Sequence, residues 1–239
     1  MIYITSDFHF NHQKEFIYEP RGFSSPIEMN EVLLENFNSI VKPEDEVYIL
    51  GDLMLGGSVF HRQGLELIRA LNGKLHIIRG NHDTDLRWSA YSKLENVVEC
   101  ENSIYLHYKK YHFYLSHYPS MTSNYTDEKS LKSRTLNLCG HTHTKDIWQH
   151  WMTGSYHCEV DAHDNKPVSI DEIIEDMKSY ETEQKDYDTL MTEVLNLAAN
   201  TIYHRCDKCV YDFISCHDND KDGKCKTYKR DPPDGGYYG

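Results

Sequence analysis

The sequence predicts an α/β fold whose strand ends carry metal-ligand side chains, and three observations predict it. Short apolar, β-branched runs alternate with helical patterns through the first half of the chain. Five of the apolar runs end in Asp, Asn or His. The 239 residues, 39% hydrophobic and 12% aromatic, supply enough apolar material for a sizeable core, while no run reaches the ~18 apolar residues that cross a membrane.

The first strand is expected at Ile2 to Thr5, within "MIYITSDFHFNH". Taken alone, this stretch reads equally as a half-buried strand with polar punctuation or as a strand delivering ligands. A helix follows in "SSPIEMNEVLLENFNSIVKP", where Ser25 can cap, Pro26 occupies the first turn and Glu28 stands three residues after the cap. Its Leu33, Phe37, Ile40 and Val41 recur at helical spacing, and Pro43 stops it. "EVYILGD" is the second strand, "FHRQGLELIRALNG" a helix that Gly73 can terminate, and "KLHIIRGNHD" the third strand. Strand, helix, strand, helix, strand is the order of a largely parallel sheet, whose ligands belong at the carboxyl ends of its strands.

From about Val97 the texture changes. "VVECENSIYLHYKKYHFYLSHYP" reads as a hairpin, "RTLNLCGHTH" and "YHCEVDA" as two more strands, and "SIDEIIEDMKSY" as a helix with a Ser169–Glu172 capping box. "ETEQKDYDTLMTEVLNLAANTIY" suits one further helix before a polar tail, and no internal repeat is present.

A net charge of −13 argues against a chain that grips nucleic acid by charge alone, so a nucleic-acid partner is not favoured. A nucleotide substrate stays open, because bound divalent cations reverse the sign of an acidic site. Asp7 interrupts the first apolar run where a signal peptide would continue, so a cytoplasmic protein is expected.

The candidate ligands are Asp7 and His9, Asp52 of "LGD", Asn81 and His82 of "GNHD", His117 of "SHYP", and His141 and His143 of "GHTH". Singly, each is as easily a turn or a cap. In one order, each after an apolar strand, they form a set of oxygen and imidazole donors suited to Mn, Fe, Zn or Ni. The set is too large for one ion and suits two that share a carboxylate. Such a pair can hold the attacking and leaving oxygens of an in-line displacement and acidify a bridging water, which is the chemistry of phosphoester hydrolysis.

"SDFH", "LGD", "RGNHD", "LSHYP" and "CGHTH", spanning residues 6 to 143, together resemble the motifs of the calcineurin-like metallophosphoesterases. "DFHFNH", which adds His12, is similar to the small bacterial and phage members. The resemblance implies a four-layer α/β/β/α sandwich over residues 1–180, leaving 181–239 as a helical extension and Cys-rich tail. It implies that Asp7, His9 and His143 hold one metal, Asn81, His117 and His141 the other, that Asp52 bridges them, and that His82 protonates the leaving oxygen. A nucleotide or other small phosphoester is the expected substrate. The competing readings are a nuclease, and a nucleic-acid or protein binding module that uses the Cys-rich tail for recognition.

Three further features stay open in the sequence. The stretch "NHQKEFIYEPRGFSSP" offers His12, Lys14 and Arg21 as substrate contacts or as ordinary surface. Arg79 suits a phosphate clamp or a neighbouring carboxylate equally. In the tail, Cys206 and Cys209 followed by Cys216 and Cys225 suit a structural zinc site, although the second spacing is wide, with reduced thiols or a disulfide pair as the alternatives. "DNDKDG" begins like a calcium loop but ends in Lys229 where a Glu is required.

Overall fold

The structure is a computed structural model and describes residues 1–122, 130–148 and 155–203. The four tail cysteines, their expected zinc site and the calcium-like run lie outside the described residues. The chain divides into two compact units, Met1–Lys178 and Ser179–Gly239.

The first unit is mixed α/β with two facing sheets. In the first sheet, β1 (Ile2–Thr5), β2 (Glu46–Ile49), β3 (Lys74–Ile78) and β4 (Val97–Glu101) run parallel. β9 (Val168–Ser169) closes the other edge antiparallel to β1, giving the order β4-β3-β2-β1-β9. The second sheet has the order β5-β6-β7-β8, from β5 (Ile104–Tyr108), β6 (Tyr111–Leu115), β7 (Thr135–Cys139) and β8 (Ser155–His157). β5 and β6 form a hairpin, and the other two pairings are parallel.

Helices cover the outer face of the first sheet because their apolar stripes match its buried side chains. After a single helical turn, α1 (Glu15–Tyr18), α2 (Pro26–Ile40) is capped by the Ser25 hydroxyl, which accepts from the Glu28 amide, and it buries Met29, Leu33 and Phe37. Together with Ile68 after α3 begins (Ser58–Arg69) and Tyr91 of α4 (Asp85–Tyr91), these pack on Val47, Ile49, Leu75 and Ile77. On the opposite face, Ile4, Leu50 and Ile78 meet Phe113, Leu115, Leu136 and Leu138 of the second sheet. The alternation in β6 is complete: Tyr111, Phe113 and Leu115 are buried while His112 and Tyr114 are only half-buried. The first turns of α5 (Ile170–Tyr203) add Ile173, Ile174 and Met177 to that same core.

Two local expectations are corrected. The hairpin begins later than Val97: residues 97–101 instead form β4, delivered to the first sheet by α4, a seven-residue helix capped by Thr84. The run of apolar and β-branched residues hides this change of sheet, since period-2 texture does not say which sheet a strand joins. The two helical patterns after Ser169 form one 34-residue helix, α5, because no Gly or Pro separates them. The expected capping box is present, with Ser169 and Glu172 each accepting from the other's amide.

Candidate metal centre

Parallel pairing brings the carboxyl ends of β1, β2 and β3 side by side, and the pairing continues past the strands into their loops. The amides of Asp7, His9 and Phe10 donate to the carbonyls of Gly51, Asp52 and Leu53, each at 3.0 Å. This ladder sets Asp7 and His9 directly beside Asp52. Gly51, at φ +96°, allows the turn, and a Cβ on it would come within 2.6 Å of the Gly80 amide nitrogen.

Asp7, His9, Asp52, His141 and His143 all adopt left-handed backbone conformations, with φ between 50° and 76°. Each costs free energy on the order of 1–3 kcal/mol for a residue with a Cβ, and such strain clusters where side chains must be aimed.

Two groups of side chains able to hold a cation result: Asp7, His9 and His143, and Asp52, His117 and His141. In the first, Asp7 Oδ1 is 3.6 Å from His9 Nε2 and 3.8 Å from His143 Nε2. Asp7 Oδ2 is taken by the Ser6 hydroxyl and the His141 amide. Asp7 Oδ1 is fully buried and has no hydrogen-bond partner. A buried carboxylate oxygen facing two imidazole nitrogens fits a divalent cation. Burial raises the Asp7 pKa, but His9 and the other imidazoles outweigh it, so the group is held far below the usual carboxylate range. Burial pushes His9 down to about 4, against the pull of Asp7, which keeps its ring neutral and able to ligate.

In the second group, His117 Nδ1 lies 2.8 Å from the Leu50 carbonyl, which leaves Nε2 directed at Asp52 Oδ2, 3.5 Å away. Asn81 Oδ1 lies 2.8 Å from His117 Nε2 and 2.9 Å from His141 Nδ1, so Asn81 joins this group. Asp52 Oδ2 is also 3.7 Å from His9 Nε2. That single oxygen therefore faces a histidine of each group. Burial, with the neighbouring Asp7 charge, raises Asp52 to about 6 against the opposing effect of His117.

His82 stands at the rim, its side chain 45% exposed, with Nε2 4.0 Å from Asp52 Oδ2. Its amide donates to Asp52 Oδ1 and its carbonyl accepts from Arg87, so the backbone is held while the ring faces solvent. His12 is buried behind His9, with ring centroids 5.6 Å apart. Burial, then the neighbouring His82 and Arg21, lowers its pKa to about 4.

Arg79 donates to the Asp83 carbonyl, pairs with Asp85 and stacks on Trp88. Arg21 is buried: it donates to the Asp7 and Phe8 carbonyls and forms two bonds, 2.9 and 2.7 Å, with Asp161. Lys14 is exposed.

Three residues that support the cluster are not picked out by the sequence. Asp161 Oδ2 lies 2.9 Å from His143 Nδ1. Glu159 accepts from the Thr142 hydroxyl and pairs with His157, anchoring the turn between His141 and His143. Asp83 ties the second and third ligand loops together by accepting from the amides of Asp52 and Gly80 and from the Tyr91 hydroxyl. Asp161 and Glu159 lie in "HCEVDA", which carries no spacing signal of its own, and Asp83 closes "GNHD", where Asn81 and His82 carry the donor pattern.

Residues 1–156 match the profile of the calcineurin-like phosphoesterase superfamily domain. The chain is 34% identical over 177 residues to the uncharacterized protein MJ1445 of Methanocaldococcus jannaschii, covering 72% of this chain and 89% of that one. It is 25% identical over 191 residues to the Gene 66 protein of Mycobacterium phage L5, covering 72% and 91%. Among solved structures, the protein of unknown function AQ665 from Aquifex aeolicus superimposes with a TM-score of 0.53 at 27% identity, covering 73% of this chain and 98% of that one. No helix among the described residues is long and apolar enough to cross a membrane. The matched profile, over well more than half of the chain, and the motifs that converge on one cluster establish that this chain belongs to the calcineurin-like phosphoesterase superfamily.

Proposed function

We propose that the chain is a dinuclear metal-dependent phosphohydrolase acting on a phosphodiester or phosphomonoester of a nucleotide or another small molecule, with the activity residing in residues 1–180. The observation that carries this reading is Asp52 Oδ2, which lies 3.7 Å from His9 Nε2 of one ligand group and 3.5 Å from His117 Nε2 of the other. A carboxylate so placed suits the bridge of a two-metal site.

Asp7, His9 and His143 would hold one divalent ion, and Asn81, His117 and His141 the other. Two ions of Mn, Fe, Zn or Ni would supply Lewis-acid stabilisation of the phosphoryl charge and acidify water near neutral pH. His82, exposed at the rim and fixed by its backbone, donates a proton toward the leaving oxygen. Leu50 and Asp161 hold the imidazoles of His117 and His143 with their Nε2 atoms toward the carboxylates.

The test is elemental analysis of the purified protein, followed by assay of nucleotide mono- and diesters with the metal found. Asp52→Asn should abolish turnover and lower metal content at both sites. Full activity in that variant would refute the two-metal reading.

A further inference from the structure

Two exposed aromatic rings flank the cluster, and neither is used by the chemistry above. Tyr118 follows His117 directly, is 50% exposed, and packs edge-on against two ligand imidazoles, with ring centroids 4.6 Å from His141 and 5.0 Å from His117. Its backbone is pinned: the hydroxyls of Ser116 and Ser120 both donate to the Tyr118 carbonyl, at 2.8 and 2.9 Å. The Ser120 amide in turn bonds the buried Asn137 side chain. On the side of the other ligand group, Phe16 is 70% exposed and sits edge-on to His12, which is edge-on to His9.

An isolated exposed aromatic is ordinary surface. Here each exposed ring reaches a different ligand group through imidazoles, and the Tyr118 backbone is pre-positioned by two hydrogen bonds to its carbonyl. A fixed, half-exposed ring beside a phosphoryl site is what a flat, uncharged ring on the substrate stacks against, without regard to base identity.

We propose that Tyr118 is a stacking platform for the nucleobase of a nucleoside phosphodiester, with Phe16 as the second platform across the scissile phosphate, which makes Tyr118 a specificity-determining residue. This rests on the phosphohydrolase reading above and narrows its substrate to esters carrying a base.

The experiment compares two substrates with one leaving group, the p-nitrophenyl ester of thymidine 5′-phosphate and ethyl p-nitrophenyl phosphate, on the metal-loaded protein. The wild type should favour the nucleoside ester, mainly through KM. Tyr118→Ala should reduce that preference about tenfold, and Tyr118→Phe should keep it. Metal content, measured on each variant, separates lost stacking from lost ligands. An unchanged preference in metal-replete Tyr118→Ala overturns the proposal. A parallel calorimetric titration compares thymidine 5′-monophosphate with ethyl phosphate and needs no turnover. If neither ester is hydrolysed, the phosphohydrolase reading fails, and the binding difference between wild type and Tyr118→Ala still decides for or against the platform.

Discussion

His143 Nδ1 lies 2.9 Å from Asp161 Oδ2, and the same carboxylate takes two hydrogen bonds from Arg21. The charged carboxylate favours the tautomer with Nδ1–H on its side, which would leave the Nε2 lone pair toward Asp7 and His9. Burial acts to raise the Asp161 pKa, but His143 and Arg21 hold it at about 2, so the carboxylate is charged throughout the neutral range.

Asp161→Asn should therefore weaken metal binding about 10–100-fold, the usual consequence of removing the partner of a ligating histidine. A metal titration by calorimetry reads this directly. An affinity equal to that of the wild type would show that Asp161 serves folding alone.

His82 should separate from the ligands in its phenotype. Its ring is 45% exposed and its backbone is held by Asp52 and Arg87, so replacing the side chain leaves those bonds intact. His82→Ala should lower kcat by roughly 10²–10⁴-fold. Metal stoichiometry should stay near that of the wild type, and a variant that lost its metals would exclude the proton-donor role.

Two glycines make a matched pair. A Cβ on Gly80 would collide with the Asp52 carboxylate and stand 2.5 Å from the Asp52 amide nitrogen, whereas one on Gly22 meets nothing within 4 Å. Gly80→Ala should displace Asp52 and lower metal content together with Tm. Gly22→Ala, strained only by its φ of +90°, should cost about 1 kcal/mol in Tm measurements and leave metal content unchanged.

The capping box of α5 carries a pH dependence. Hydrogen bonds from the Ser169 side chain and backbone lower the Glu172 carboxyl below its ordinary value of 4.5. The unfolded chain therefore takes up the proton first as pH falls. The stabilisation is complete above pH ~4.5 and disappears as pH drops through the folded-state value. Glu172→Gln keeps an acceptor that does not titrate. The Tm advantage of the wild type over this variant should shrink from pH 6 to pH 3, and a constant difference would contradict the assignment.

Much of this protein is legible without coordinates. Ile2 and Ile4 followed by Asp7 and His9, and the parallel cases ending in Asp52, Asn81 and His117, reveal the strands and the donor side chains that the structure brings together, because strand periodicity and donor chemistry are local properties of the chain. The cap at Ser25 and the box at Ser169 and Glu172 are equally local. Tertiary structure alone decides which sheet takes residues 97–101, since sheet membership depends on where α4 delivers the strand. It also decides that Arg21 turns inward to Asp161, and that Asp161, Glu159 and Asp83 stand behind the ligands. These partners lie 17 to 140 residues from the groups they hold, or share a loop without any periodic signal. Their pairing follows from packing two sheets face to face, which no window of sequence contains.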